Sequence, residues 1–339
     1  MRISDDTALI EQLRAATAKH LHPDVRVEGL NVALGGGSNN TYAYDAVLPD
    51  GERLPLILRQ ETFAGRHNIF LPPEVQYRCV QVAHAGGVLV PKPYFLLDPV
   101  DGLGAGFVMA RIEGEGLPRK LLRDAPFATA RERLPTQLGE VLGTLHRIDP
   151  AQVDFLGTPP PGEGAARREI AMQRRRLDDY GEPHPAMELG LRWLEDHAPT
   201  PRRLAFLHGD FRNGNFLVGP EGLRAVLDWE LCHIGDPMED LGWLCMKAWR
   251  FGRLDQPAGG FGPREPFYEA YERTSGIPVD TQAVYFWEVY AALKWGLINV
   301  LQAYYHLFEG RESPVFAACG RNVCQMEYDL LQLLDAGPP

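Results

Sequence analysis

The spacing of apolar and polar positions changes about one third of the way along the chain. In the first third, short apolar runs alternate with turn-forming residues, and the runs 42–48 and 54–60 flank a Pro-Asp-Gly turn as in a β-hairpin. From about residue 113 onward, apolar residues recur at helical spacing, as in 128–148. The pattern therefore predicts an α+β protein whose strands come first and whose helices follow.

The same spacing places the individual elements. Strands are predicted at 25–30, 42–48, 54–60, 94–98, 107–112 and 216–218, with a further strand ending at residue 228. Helices are predicted at 5–20, 73–85, 128–148, 165–180, 189–197, 238–249, 267–275, 281–308 and 313–334. The most apolar long segment, 284–308, is interrupted by Glu288, Lys294 and Asn299, which favours a buried helix over a membrane span.

Composition narrows the class of protein. A chain of 339 residues with 45% hydrophobic and 23% charged residues is typical of a globular protein of one two-lobed unit or two domains. A formal net charge of −11 argues against nucleic acid or an anionic membrane surface as a partner. The five cysteines form no CxxC pair, and the N-terminus lacks the apolar core of a signal peptide, so we expect a cytoplasmic protein.

Candidate chemistry is concentrated between residues 204 and 230. Asp210 and Asn215 lie five residues apart on one polar loop, and Asp228 follows where the next strand is predicted to end. Carboxylate and amide oxygens are ligands that Mg²⁺ prefers, and phosphoryl transfer also needs a carboxylate to orient a hydroxyl group. The order of Asp, Asn and a second Asp is that of the catalytic and metal-binding loops of kinases.

These residues carry a family resemblance. The segments HGDFRNGN and DWE resemble the motifs of the aminoglycoside phosphotransferase (choline kinase-like) family, and LHRIDP and GDPMEDLGWL also fit. The chain is most similar to the branch related to the kinase-like domain fused to some acyl-CoA dehydrogenases, over about residues 34–249. The resemblance implies a bilobal protein kinase-like fold, with a small antiparallel sheet and a helix in residues 1–112 and a large, mainly helical lobe in 113–339. It also implies ATP and Mg²⁺ as cofactors.

The resemblance places a phosphate-binding loop near the start of the small lobe. Gly36, Gly37, Ser38 and Asn39 are small or polar, so their backbone N–H groups could approach a phosphate closely. The alternative interpretation of these residues is an ordinary flexible hairpin loop.

Other nucleotide contacts are implied in the same lobe. Arg59 occupies the position of the family's phosphate-binding cation, where protein kinases have Lys, and Glu74 is its predicted carboxylate partner, with Glu61 as the competitor. An exposed arginine at a strand end is the alternative for Arg59.

The crossing between the lobes is implied to bind adenine. There, the backbone of Ala110 to Ile112 would meet the adenine edge, and Met109 would form a wall of its pocket or belong to the core.

The resemblance also assigns roles in the large lobe. Asp210 would orient the acceptor hydroxyl and take its proton, while Asn215 and Asp228 would bind Mg²⁺. Arg212 would stabilise the charge on the transferred group, or else form a salt bridge within the loop. His208 and His146 are interpreted as structural, and Asp236 and Asp240 as ligands of backbone amides near the catalytic loop. Glu230 either assists the metal site or shapes the loop.

Two features of the sequence bear on the class of acceptor. A run of arginines at 167–176 could line an anionic pocket, as a CoA ester would require, but neighbouring carboxylates at helical spacing favour a solvated helix face. Acidic composition favours an aminoglycoside instead. The predicted activity is phosphoryl transfer from ATP to a small-molecule hydroxyl. The alternatives are a catalytically silent nucleotide-binding module and a protein kinase, and the oligomeric state is open.

Overall fold

A computed structural model describes residues 7–32, 39–61, 68–159, 164–310 and 313–337. The chain divides into two compact units. The first, called the small unit below, comprises Met1–Gly114 and Arg224–Leu231; the second, the large unit, comprises Glu115–Leu223 and Cys232–Pro339. The segment Arg224–Leu231 thus belongs with the N-terminal residues, although it lies far from them in sequence.

The small unit is built on an antiparallel sheet. Its elements are α1 (Thr7–His20), β1 (Arg26–Val32), β2 (Asn39–Val47), β3 (Arg53–Glu61), α2 (Pro73–Ala85), β4 (Pro93–Leu96) and β5 (Gly106–Ala110). The five strands lie in the order β1-β2-β3-β5-β4, and each neighbouring pair is antiparallel. This confirms the predicted α+β class with a small antiparallel sheet.

Alternation along β3 determines which side chains reach the core. Leu56 and Leu58 are fully buried, whereas Arg59 is half-buried on the opposite face of the sheet. The buried leucines pack in a cluster with Leu13 of α1 and Tyr44 of β2. The predicted hairpin turn before β3 is also present, with the N–H of Gly51 donating to the carbonyl of Leu48 at 2.9 Å. The core therefore holds the strand that presents Arg59.

The large unit is mainly helical. Its helices are α3 (Pro118–Arg123), α4 (Ala128–His146), α5 (Ala165–Tyr180), α6 (Pro185–His197), α7 (Met238–Cys245), α8 (Arg264–Ser275), α9 (Thr281–Phe308) and α10 (Pro314–Ala336). The strands outside the first sheet are β6 (Ala205–Leu207), β7 (Phe216–Gly219), β8 (Gly222–Val226) and β9 (His233–Gly235). β6 pairs with β9, and the β7–β8 hairpin belongs to this unit as far as Leu223.

Close packing and burial shape this unit. A side chain at Gly139 of α4 would meet the Ala270 side chain of α8 at 2.9 Å, so the two helices approach closely only because residue 139 is glycine. Helix α9 is buried along most of its length, including Glu288, Lys294 and Asn299, as its interrupted apolar pattern predicts. Among the residues described, no helix is long and apolar enough to cross a membrane.

Several element boundaries differ from the predicted ones. Helix α7 ends at Cys245, where the backbone of Met246 turns to an extended ψ of 143°, and a short 3₁₀ turn follows over Lys247–Arg250. Strand β8 ends at Val226 and not at Asp228. Strand β9 and helix α3 are too short to produce a clear sequence pattern.

Candidate active site

The loop of residues 208–215, which the sequence predicts to be catalytic and which is named the catalytic loop for that reason, connects β6 to β7 in the large unit. Asp210 is 7% exposed, and its carboxylate is held on both oxygens. Asn215 Nδ2 donates to Oδ2 at 2.6 Å, while Trp243 Nε1 and Arg212 Nε donate to Oδ1 at 2.8 and 2.9 Å. These directional bonds restrict the carboxylate to one orientation.

A second carboxylate holds the backbone of the loop. Asp240, fully buried on α7, accepts hydrogen bonds from the N–H of His208 at 2.8 Å and from that of Gly209 at 2.9 Å, which confirms its predicted role. His146 Nε2 lies 3.1 Å from the same carboxylate, and its Nδ1 lies 3.0 Å from the Tyr271 hydroxyl. Burial alone would raise the pKa of Asp240, but the hydrogen bond with His146 and the nearby His208 lower it below its usual value. The loop is therefore anchored to an ionised buried group, and His146 is structural, as predicted.

Turn geometry within the loop presents the amide of Asn215. Gly214 has a φ of 111°, and a side chain there would meet Arg212 Nη1 at 2.6 Å, so only glycine fits. The backbone N–H of Asn215 donates to the carbonyl of Arg212 at 3.0 Å. Because Asn215 Nδ2 donates to Asp210, its amide oxygen Oδ1 is left as the atom that could bind a cation.

Arg212 forms a salt bridge within the loop. Besides its bond to Asp210, its guanidinium lies over the ring of Trp249, 4.5 Å from the ring centroid. A cation over an indole face is stabilised by the ring quadrupole, which holds the guanidinium beside the carboxylate. The salt bridge that the sequence offered as an alternative is thus present, and it places a positive charge beside the carboxylate of Asp210.

His208 is the remaining side chain of the loop that sequence analysis interpreted. It is fully buried, and its Nδ1 accepts a hydrogen bond from the N–H of Asp210 at 3.2 Å. This contact supports the structural role predicted for His208.

In the small unit, Arg59 connects two carboxylates. Its Nη2 donates to Asp228 Oδ1 at 2.5 Å and to Glu230 Oε2 at 2.7 Å. Burial alone would lower the pKa of Arg59, but the two carboxylates raise it above its usual value, so the guanidinium stays charged. Among the described residues, Arg59 thus forms its ion pairs with Asp228 and Glu230 and not with Glu74, so the predicted pairing with Glu74 is wrong. Asp228 and Glu230 follow Arg59 in the sequence by 169 and 171 residues, so no local pattern reveals these two contacts.

Asp228 has an unusual backbone. Its φ is 70°, and among the described residues only Phe251 is another non-glycine residue with positive φ. This left-handed conformation costs free energy for a residue with a Cβ atom, and such strain is concentrated at functional sites. The strain accompanies the side-chain contact with Arg59.

The other predicted nucleotide-binding residues are placed as follows. Gly36, Gly37 and Ser38 lie outside the described residues, and of Asn39 only the backbone at the start of β2 is described. Met109 and Ala110 end β5, both half-buried, and the N–H of Ala110 donates to the carbonyl of Lys92 at 2.8 Å. Ile112, also half-buried, follows the strand. The N–H of Ala110 is therefore already used within the small unit.

A buried cluster of charges lies beneath the catalytic loop. Glu169, His233 and Glu239 bring ligand-type atoms within 4.8 Å of one another, a donor set that could hold a metal ion. Lys294 Nζ lies 3.3 Å from Glu239, and the two glutamates raise the pKa of His233 to about 9 against the effect of burial. The positive charges of Lys294 and His233 balance the two carboxylates, so the cluster is satisfied as an ion-pair network.

The arginine run on α5 is largely engaged with protein groups. Arg174 pairs with Glu195 at 3.0 Å and Glu188 at 3.3 Å, and Arg168 donates to the carbonyl of Ile234 at 2.7 Å. Arg174 is therefore ion-paired, but its partners are glutamates of α6 and not the carboxylates predicted at helical spacing on its own helix.

Trp243 and Trp249 were missed by the sequence analysis. Asp240 and Trp243 are three residues apart on α7, so they share a helix face, and this spacing was the available signal.

The sequence is similar to proteins of a known enzyme family. The model of the phosphotransferase enzyme family matches residues 32–281. The chain is 26% identical over 249 residues to acyl-CoA dehydrogenase family member 10 of mouse. The aligned region covers 68% of this chain and 22% of the mouse protein. The chain therefore spans about a fifth of the length of this curated relative.

Solved structures show the same fold. A candidate aminoglycoside phosphotransferase from Ralstonia eutropha has a TM-score of 0.72 and 21% identity, covering 97% of this chain and 99% of that one. An ethanolamine kinase from Plasmodium vivax has a TM-score of 0.65 and 12% identity, covering 96% and 89%.

Proposed function

We propose, from the premise that this chain belongs to the phosphotransferase enzyme family, that it transfers the γ-phosphate of ATP to a hydroxyl group of a small molecule. The observation that carries the proposal is the orientation of Asp210, whose carboxylate is held by Asn215, Trp243 and Arg212. A fixed carboxylate on a loop of this sequence can align a hydroxyl group for in-line attack.

Asp210 acts on the acceptor. One of its oxygens accepts a hydrogen bond from the hydroxyl group and receives the proton as the acceptor oxygen bonds to the γ-phosphorus. The bond between that phosphorus and the bridging oxygen breaks, and ADP leaves. Because the transition state is loose, positioning contributes more than base strength.

Asn215 and Asp228 are the proposed Mg²⁺ ligands. The donor set fits this ion, since the amide oxygen of Asn215 and the carboxylate of Asp228 are hard oxygen ligands. When bound, Mg²⁺ would neutralise charge on the nucleotide phosphates. Asp228, Glu230 and Arg59 together carry one net negative charge, which suits a divalent cation.

Arg59 has donors left for phosphate. Only its Nη2 makes the contacts with Asp228 and Glu230, and its buried Nε has no hydrogen-bond partner among the described residues. We propose that Arg59 binds a nucleotide phosphate with these groups, together with Gly36, Gly37, Ser38 and Asn39. Met109, Ala110 and Ile112 remain the proposed adenine contacts; since the N–H of Ala110 is used, we assign the adenine hydrogen bonds to Ile112.

Arg212 is proposed to move between two partners. Its bond to Asp210 holds it at the reacting centre, and a guanidinium fork matches the oxygens of a phosphoryl group. As the charge on the transferred group develops, Arg212 would stabilise it.

The acceptor class follows from two considerations. The named relatives include an acyl-CoA dehydrogenase and kinases or phosphotransferases of aminoglycosides and ethanolamine. The arginines of α5 engaged by Glu188, Glu195 and Ile234 are not free to bind a polyphosphate, whereas Arg167 and Arg175 are exposed. We propose a metabolite alcohol, with hydroxyacyl-CoA esters and aminoglycosides as the classes to test first.

The test is Mg²⁺-ATP turnover with a panel of aminoglycosides, choline, ethanolamine, homoserine, simple sugars and hydroxyacyl-CoA esters. Asp210→Asn is measured beside the wild type and should reduce acceptor-dependent ADP release to a small residual rate. Tight nucleotide binding without turnover on any acceptor would favour a silent nucleotide-binding module. Transfer to generic protein substrates alone would favour a protein kinase.

A further inference from the structure

We propose that Trp243 is a positioning residue that holds the carboxylate of Asp210 through its indole N–H. The inference rests on the proposed function, because it assigns Trp243 a part in orienting the group that receives the acceptor proton. Trp243 Nε1 donates to Asp210 Oδ1 at 2.8 Å, and the tryptophan is 1% exposed.

Helix α7 supports the catalytic loop at two levels. Asp240 accepts hydrogen bonds from the backbone N–H groups of His208 and Gly209, and Trp243, three residues later, donates to the side chain of Asp210. One short helix therefore sets both the path of the loop and the orientation of its carboxylate. A displacement of α7 would disturb the backbone and the side chain together.

The indole ring is itself held in place. Lys294 Nζ lies over its face, 4.9 Å from the ring centroid, and is oriented by Glu239 at 3.3 Å and by the carbonyl of Gly209 at 3.4 Å. Trp249 packs against the same ring, with centroids 5.7 Å apart. Since buried neighbours fix the plane of the ring, the N–H has a defined direction.

Trp243 and Arg212 both donate to Asp210 Oδ1, but they differ in charge and in solvent exposure. The Arg212 side chain is 21% exposed and carries the charge proposed to follow the transferred group. When Arg212 turns to phosphate, Oδ1 would keep only the neutral indole donor among the contacts described here. A neutral, immobile donor holds the carboxylate without cancelling its negative charge, which the incoming proton requires.

The chain provides a matched control. Trp287 of α9 is fully buried, and its Nε1 donates to Asp236 Oδ2 at 3.0 Å. Both tryptophans thus donate to a buried aspartate, but Asp236 accepts its backbone hydrogen bond from the N–H of Met238, at 2.9 Å, and not from the catalytic loop. Replacing either by Phe removes the same donor and leaves a similar cavity.

The experiment compares Trp243→Phe with Trp287→Phe in the full chain, using the acceptor found in the panel. For Trp243→Phe we expect kcat to fall about 10- to 100-fold, the effect of losing one hydrogen bond to a charged group, with the KM for Mg²⁺-ATP unchanged. For Trp287→Phe we expect a similar loss of thermal stability and a kcat close to that of the wild type.

A double-mutant cycle separates positioning from general destabilisation. In the Asp210→Asn background, Trp243→Phe should cause no further loss of residual turnover, since the group that it positions is absent. An equal fall in both backgrounds would overturn the inference. So would equal kcat values for Trp243→Phe and Trp287→Phe.

A second variant serves if Trp243→Phe does not fold. Benzothienylalanine placed at position 243 keeps the shape of indole and replaces the N–H by sulfur, so kcat should fall by the same factor in a folded protein. Wild-type kcat in this variant would overturn the inference while the proposed function stands. Absence of turnover in the wild type with every acceptor would overturn both.

Discussion

Charged groups are held in different ways in the two units. In the large unit, Asp210 is oriented by an amide, an indole and a guanidinium, and its loop is anchored to the buried Asp240. In the small unit, Arg59 forms ion pairs with Asp228 and Glu230, and the side chains of these three residues are 15%, 23% and 8% exposed. The first arrangement includes neutral amide and indole donors, whereas the second pairs opposite charges, whose partners a cation or a phosphate could replace.

This difference agrees with the proposed division of work. A group that aligns a hydroxyl must keep its position throughout the reaction, so a rigid support is useful. Groups that bind Mg²⁺ and nucleotide must exchange partners when these arrive and leave. The left-handed backbone of Asp228 shows that the small unit also tolerates local strain to present its carboxylate.

The largest expected effect is that of Asp240→Ala, which tests whether the catalytic loop depends on its buried support in the large unit. The change leaves the buried N–H groups of His208 and Gly209 and the ring of His146 without their acceptor, so the free energy of unfolding should fall by about 3–5 kcal/mol. Chemical denaturation measures the effect, with the exposed Asp196→Ala as control. A loss below about 1 kcal/mol would show that the loop does not depend on this anchor.

The charge cluster beneath the loop predicts a pH dependence. The pKa of His233 in the folded protein, about 9, exceeds the ordinary 6.5 because of Glu239 and Glu169. Protonated His233 therefore adds about 3 kcal/mol to the free energy of unfolding; this stabilisation is fully present below pH 6.5 and is lost as the pH rises through 9.

Denaturation of His233→Gln at several pH values tests this. The variant should lose less stability than the wild type between pH 6.5 and 9, and His84→Gln at the surface serves as control. An unchanged decline in His233→Gln would contradict the prediction.

Substitution of Arg59 tests whether the charged groups of the small unit exchange partners when nucleotide binds. Arg59→Gln removes the counter-charge of Asp228 and Glu230 and a phosphate donor, so Mg²⁺-ATP should bind about tenfold more weakly, about 1.4 kcal/mol. Calorimetric titration measures it. Arg53→Gln on the same strand, which removes an exposed pair with Glu28, is the matched control. Equal affinities in the two variants would place Arg59 outside nucleotide binding.

The smallest expected effect concerns Trp249. Trp249→Phe weakens the aromatic face beneath Arg212, and we expect kcat to fall about two- to fivefold, equivalent to about 0.5–1 kcal/mol. Tyr328→Leu, which removes the exposed ring beneath Lys247, is the control and should leave kcat unchanged. If both variants had wild-type kcat, the indole would not help to place Arg212.

The elements and the contacts were predicted with different success. The hairpin of β2 and β3, helix α2 and the 28-residue helix α9 were predicted because turn residues and apolar periodicity are local. The end of α7 was placed too late because the residues after Cys245 keep helical apolar spacing although the backbone turns at Met246.

The sequence by itself determined the family, the α+β class and the catalytic loop, because motif spacing and apolar periodicity are written in neighbouring residues. It also indicated that Asp240 would bind amides of the loop. Only the tertiary structure decided that Arg59 binds Asp228 and Glu230 and not Glu74, and that Trp243 reaches Asp210. The partners in these three contacts are separated in the sequence by 169, 171 and 33 residues. The contacts therefore depend on how strands and helices pack and not on local spacing.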